Sequence, residues 1–150
     1  MEILVSNQSE FPVNLGLLRD LARYTLLCEG VEPLVELSVA LVDQTEIRNL
    51  NLKYRGIDEP TDVLSFPLLE ETPETASSPK ILGEVVICPE IAEHQAKKYG
   101  QSIIEELCLL LVHGILHLLH YNHEERKRAK LMRDREREIL SRFFKGRRQR

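Results

Sequence analysis

The sequence predicts a single α+β domain, residues 1–150, in which a mixed sheet of about four strands packs with helices. Three observations carry this expectation. The chain has 150 residues, 43% hydrophobic and 29% charged, enough to bury a real core in one domain of ordinary size. Segments of strand and helix character follow the order βαβαββααα, with strands early and helices last. A run from Leu107 to Leu119 is apolar around nearly its whole circumference, so it needs cover on most sides and is expected to pack centrally.

The elements follow from local pattern. Residues 2–6 suit a short strand, and Asn14 to Glu29 places Leu15, Leu18, Leu21, Ala22 and Leu26 at helical spacing before a stop at Gly30. Leu34 to Val42 has the β-branched content and partial alternation of a strand. Asp43, with Glu46 as capping-box partner, should open a helix that runs through Leu50 to about Lys53. Past Gly56 and the turn-rich 58–62, a short strand at 63–67 ends at Pro67. Glu70 to Lys80 has little to bury and is expected to be a mobile surface loop. Ile81 to Cys88 reads as the next strand, antiparallel to 63–67. Pro89 begins a helix ending near Gly100 and carrying His94 on the surface. Ser102 with Glu105 forms a second capping box, opening the helix that contains the apolar run. A charged helix over about 124–144 comes last, and no internal repeat is visible.

Composition narrows the function classes. The net charge of −4 hides an asymmetry, because residues 124–150 hold twelve Lys/Arg against five Asp/Glu and the rest of the chain is correspondingly acidic. That basic C-terminal helix and tail could supply a phosphate footprint, or be a solvated helix whose Glu and Asp pair at helical spacing. Cys28, Cys88 and Cys108 form no CxxC pair, so buried reduced thiols are expected rather than disulfides or a thiolate zinc site. Residues 1–6 lack the charge and apolar length of a signal peptide, and the longest apolar run is too short to span a bilayer. A soluble cytoplasmic protein with no membrane partner is the expectation.

Chemistry concentrates in His113-Gly-Ile-Leu-His117-Leu-Leu-His120-Tyr-Asn-His123. Residues four apart lie on one helix face about 6 Å along the axis, so His113 and His117 can address one metal ion. The alternative is a pair of hydrogen-bonded core or helix-end histidines. His120 shares the face but lies roughly 10.5 Å along the axis from His113, too far for bonds near 2 Å to a shared zinc. His123 can return to the metal if the helix stops at Tyr121-Asn122, since Asn tolerates left-handed angles. The favoured set is His113, His117 and His123, holding one Zn2+ per chain with a fourth position open to water, as in catalytic rather than structural sites. His120 is left as a solvent-facing, supporting or substitute residue. An HExxH peptidase is disfavoured because Gly114 stands where that pattern needs its Glu base.

The motif resembles the signature H-G-x-L-H-L-x-G-Y-D-H of the YbeY-type endoribonucleases, or rRNA maturation factors, through His113-Gly114, Leu116-His117-Leu118, Tyr121 and His123. Asn51-Leu-Lys-Tyr-Arg55, Pro60-Thr-Asp-Val-Leu-Ser-Phe-Pro67 and Leu82-Gly-Glu-Val-Val-Ile87 resemble the family's other blocks in order and spacing, so the likeness covers about Leu37 to His123. His120 and Asn122 depart from the family's Gly and Asp. The first puts a side chain where left-handed angles are suited, and the second removes a carboxylate. Metal binding is expected to persist through both, more weakly.

The resemblance implies a zinc-hydrolase-like histidine helix and a zinc-dependent endoribonuclease specific for single strands. That enzyme would mature ribosomal RNA, notably the small-subunit 3′ end, and serve ribosome quality control. Single-stranded RNA, the small ribosomal subunit and assembly factors are its expected partners, with no DNA. It also implies that Arg55 reaches the active site and acts with His113 and His117 as a catalytic residue, a guanidinium being suited to gripping a phosphodiester. Two other readings compete: a ribosome-assembly binding factor with a structural zinc site, and a metal-dependent hydrolase of another substrate.

Overall fold

The computed structural model describes residues 1–68, 80–119 and 126–148. Its elements are β1 (Glu2–Asn7), α1 (Leu15–Cys28), β2 (Val35–Leu41), α2 (Gln44–Arg55), β3 (Val63–Pro67), β4 (Lys80–Ile87), α3 (Pro89–Lys98), α4 (Ile103–Leu118) and α5 (Arg126–Arg148). This is the expected order, in one α+β domain. The sheet runs β1-β2-β4-β3, with β1 parallel to β2, β2 parallel to β4, and β3 antiparallel to β4. The antiparallel pair predicted from residues 63–67 and 81–88 forms, shifted to Lys80–Ile87 on the second strand.

Alternation along the strands divides the core between two faces. Leu37, Val39 and Leu41 of β2 and Val85 and Ile87 of β4 join the larger core, which includes residues of α1, α4 and α5. Ala40 and Val86 turn to the other face, where Ile47 of α2, Leu64 and Cys88 complete a smaller core. Helix α4 is central as expected: it packs on α1, α3, α5, β3 and β4, and ten of its sixteen residues are buried. Its capping box forms in both directions between Ser102 and Glu105. At α2 only half of the anticipated box forms, with Asp43 Oδ1 accepting from the Glu46 N–H at 2.9 Å. That single bond already satisfies one orphan donor of the first turn.

Three boundaries differ from expectation. Helix α2 continues past Lys53 to Arg55, where Gly56 at φ 72° supplies the left-handed cap. Helix α5 continues past residue 144 to Arg148, where Arg147 pairs with Asp20 of α1 and lies over the Phe143 ring. Lys80 belongs to β4, pairing with Val35 of β2; the remainder of the expected loop, 70–79, lies outside the described residues. Cys88 and Cys108 are buried and unpaired, whereas Cys28 is only partly buried. Burial pushes the Cys108 thiol up to about 12, consistent with an inert core thiol. No single described helix is long and apolar enough to cross a membrane.

Gly114 sets the distance between α4 and the sheet. A Cβ there would stand 2.6 Å from Val85 Cγ1 and 3.2 Å from Ser65 Oγ. Ser65 Oγ meanwhile donates a 2.9 Å hydrogen bond to the Gly114 carbonyl. Overpacking at such a site costs about 1–3 kcal/mol, against a helix-propensity gain for Gly→Ala of at most about 1 kcal/mol. Gly114→Ala should therefore lower stability in urea unfolding, and adding Val85→Ala should cost less than the sum of the two single changes. Strict additivity in that cycle would show that the contact is not the limiting one.

Candidate functional site

A cleft of about 360 Å³ opens beside α4, lined by His113 and His117, by Tyr54 and Arg55 from the end of α2, by Thr61 and Asp62, and by Val63, Ser65 and Phe66 of β3. The histidines come from one face of α4: their rings lie 6.4 Å apart between centroids and 5° from parallel. Their face is turned towards β3, whose Val63, Ser65 and Phe66 line the same cleft. Arg55 arrives through the last turn of α2. Asn51, buried in that helix, donates from Nδ2 to the Glu59 carbonyl at 2.9 Å and so folds the 56–62 connection back towards the cleft. Arg55 is exposed and makes no hydrogen bond or ion pair with another described residue.

A carboxylate from α5 reaches one of the histidines. Glu136, 5% exposed, lies with Oε1 2.6 Å from His113 Nδ1. Hydrogen bonding to Glu136 raises the His113 pKa above its ordinary value; burial opposes this, and the charges of Glu136 and Asp62 add to the rise. Asp62 accepts from the Val63 N–H at 2.8 Å. The Gln95 amide donates to Asp62 Oδ2 at 3.2 Å and to Glu106 Oε1 at 3.1 Å. Burial, with the Asp62 charge beside it, pushes the Glu106 carboxyl upwards. Glu106 is 7% exposed and so belongs to the wall behind the site.

Of the expected site residues, the fold brings together Arg55, His113 and His117. His123, with His120 and Asn122, lies outside the described residues, and among those described no group of three His, Cys, Asp or Glu could hold a metal. The two imidazoles nevertheless fit one. A proton held on His113 Nδ1 by Glu136 leaves Nε2 as the coordinating nitrogen, the arrangement in which a carboxylate orients a metal-ligating histidine. His94 is exposed on α3, away from the site.

Sequence reasoning missed Glu136 and gave no role to Tyr54 or Phe66, whose rings lie 5.1 Å apart at the cleft. A signal for Glu136 existed. Met132, Glu136, Ile139 and Phe143 recur at helical spacing and are all buried, so one carboxylate stands in an otherwise apolar stripe, where a charge needs a partner.

The raised His113 pKa sets the sign of a pH effect. Its pairing with Glu136 stabilises the fold fully below the unfolded-state value of about 6.5 and fades as pH rises through the higher folded value. In metal-free protein, the stability gap between the parent and Glu136→Gln should be widest below about pH 6.5 and narrow above the folded pKa, as read by urea unfolding across pH. A gap that widens with pH would reverse the assignment.

Comparisons with known proteins give the geometry its relatives. The profile of the family described as "Endoribonuclease YbeY" matches residues 6–144. Endoribonuclease YbeY of Thermobifida fusca is 44% identical over 144 residues, covering 94% of this chain and 93% of the relative. That of Pelotomaculum thermopropionicum is 44% identical over 148 residues, covering 95% and 97%. The solution structure of TM1509 from Thermotoga maritima superposes with a TM-score of 0.61 at 29% identity, covering 96% of this chain and 93% of that one. With the match running through every element from β1 to α5, this chain belongs to the endoribonuclease YbeY family.

Proposed function

We propose that this protein is a zinc-dependent endoribonuclease that cuts single-stranded ribosomal RNA in the cleft between α2, β3 and α4. One observation carries the reading. A guanidinium with no partner among the described residues, Arg55, shares a cleft with two near-parallel imidazoles borne by another helix, in a chain of an endoribonuclease family. Arg55 would grip the scissile phosphodiester through two oxygens and stabilise the charge that develops on it. His113, His117 and His123 would hold one Zn2+, with Glu136 keeping the His113 ring in the coordinating tautomer. Zinc so held supplies electrophilic stabilisation of the phosphate or a lowered pKa for a water; nickel, copper or iron could occupy the same nitrogens in vitro.

The aromatic pair explains a preference for single strands. Tyr54 is 58% exposed and meets Phe66 at the cleft, and such rings stack unpaired bases that a duplex keeps inside its own stack. Side-chain exposure of 32% at His113, with His117 exposed, favours the enzyme over a purely structural zinc site, because solvent and substrate reach the histidines. Maturation of the small-subunit 3′ end, ribosome quality control, contact with the small subunit and assembly factors, and action in the cytoplasm complete the proposed role.

The test is cleavage of single-stranded ribosomal RNA by metal-loaded protein. Arg55→Ala should lower the rate by about 10²–10³ while remaining folded, and His113→Ala should lower it at least as far. If His113→Ala cleaves as fast as the parent, the activity resides elsewhere. In a metal titration, His123→Ala should lose binding and His120→Ala should keep most of it; the opposite result would exchange their roles.

A further inference from the structure

The described cations of α5 are not equivalent once folded. Arg135 pairs with Glu29, the residue capping the end of α1, and donates to the Cys28 carbonyl at 2.9 Å. Arg147 pairs with Asp20 of α1, and Arg142 with Glu138. These cations fasten α5 to the domain or pair along it. Arg133, Arg137 and Lys145 are exposed and have no ion-pair partner among the described residues. All three line one groove of about 690 Å³ between α4 and α5.

We propose that this groove is a second RNA-binding site, which carries the single-stranded segment flanking the scissile phosphate, with Arg133, Arg137 and Lys145 contacting its phosphates. The proposal rests on the ribonuclease reading above. Charge complementarity supports it, because cations outnumber carboxylates in the groove, and both carboxylates are held by other groups. Glu105 closes the capping box at the start of α4, and Glu136 is bound to His113. Arg133, Arg137 and Lys145 thus face two carboxylates, leaving the groove with a net positive lining. Positions four apart on a helix are separated by about 6 Å along the axis, so Arg133 and Arg137, followed by Lys145 two such steps on, follow a line along α5. An extended strand can lay successive phosphates along such a line, and Phe144 in the groove wall offers a ring for a base.

Continuity with the cleft gives the direction. A pocket of about 420 Å³ connects them: it shares His113 and Asp62 with the cleft, and Arg133 and Glu136 with the groove. A strand leaving the histidines thus meets Arg133 first and Lys145 last. The pair Glu136–His113 stands at the junction.

The experiment compares the parent with two triple variants of equal charge change. One is Arg133→Ala/Arg137→Ala/Lys145→Ala. The other is Lys97→Ala/Lys98→Ala/Lys130→Ala, which removes exposed cations outside the groove. Equilibrium binding is measured with a 2′-O-methyl single strand of about 16 nucleotides over a range of salt, and kcat/KM with a tetranucleotide substrate. The groove variant should bind the long strand about tenfold or more weakly, with a log–log salt slope smaller by about 2, at about 0.7 per lost phosphate contact. It should cleave the tetranucleotide like the parent, and the control variant should change little in either assay. Equal weakening by the two variants would reduce the effect to net charge and overturn the proposal. Long-strand binding equal to the parent's would also overturn it and leave the groove to a protein partner. A parent that neither binds nor cleaves RNA would overturn the ribonuclease reading itself, a different outcome from failure of the groove alone.

Discussion

The close approach of α4 to the sheet at Gly114 is the constraint on which the rest of the structure depends. With no side chain at that position, the helix backbone comes near enough for Ser65 to bond the Gly114 carbonyl and for Val85 to fill the space a Cβ would take. The contact fixes both the depth and the rotation of the helix. His113, immediately before it, and His117, one turn on, are thereby turned into the cleft beside β3, while Leu111, Ile115 and Leu118 are buried in the larger core. A glycine that reads in sequence as the absence of a peptidase glutamate is, in the fold, what lets the histidine helix sit where it does.

Helix α5 depends on that placement and contributes to it. Met132, Ile139 and Phe143 bury against the larger core, Tyr24 of α1 meets Phe143 with ring centroids 5.6 Å apart, and Arg135 and Arg147 reach acidic residues of α1 and its cap. An ion pair at the surface is worth little, so the apolar stripe supplies most of the attachment and the ion pairs set its register. Register matters because Glu136 must arrive at His113 Nδ1. A carboxylate 5% exposed is costly unless paired, and its pairing ties the C-terminal helix to the chemistry of the cleft.

Much of the architecture was legible because it follows from local rules. Alternating and helical apolar spacing, Pro89 at a helix start, Gly30 at a helix end, and the Ser102–Glu105 capping box all act within a few residues, and each is found. Small errors arose where distant contacts extend an element: the pairing of Arg147 with Asp20 lies in the added turn of α5, and pairing with Val35 draws Lys80 into β4. Arg55 was visible only through the family's pattern, since nothing local distinguishes it from any exposed arginine at a helix end. Glu136 announced itself only as a polar residue in an apolar stripe, a sign of a partner without a sign of which one.

By itself the sequence determined the strand and helix order, the central place of the apolar helix, the spacing that sets His113 and His117 on one face, and the resemblance that pointed to RNA. Those are properties of residues near one another along the chain. Only the tertiary structure decided that Arg55 meets the histidines, that Glu136 holds one of them, and which cations of α5 are already paired and which line the groove beside α4. Each of these joins groups separated by tens of residues, and their meeting is set by how helices pack on a sheet, through contacts such as Gly114 on Val85 that no local periodicity encodes.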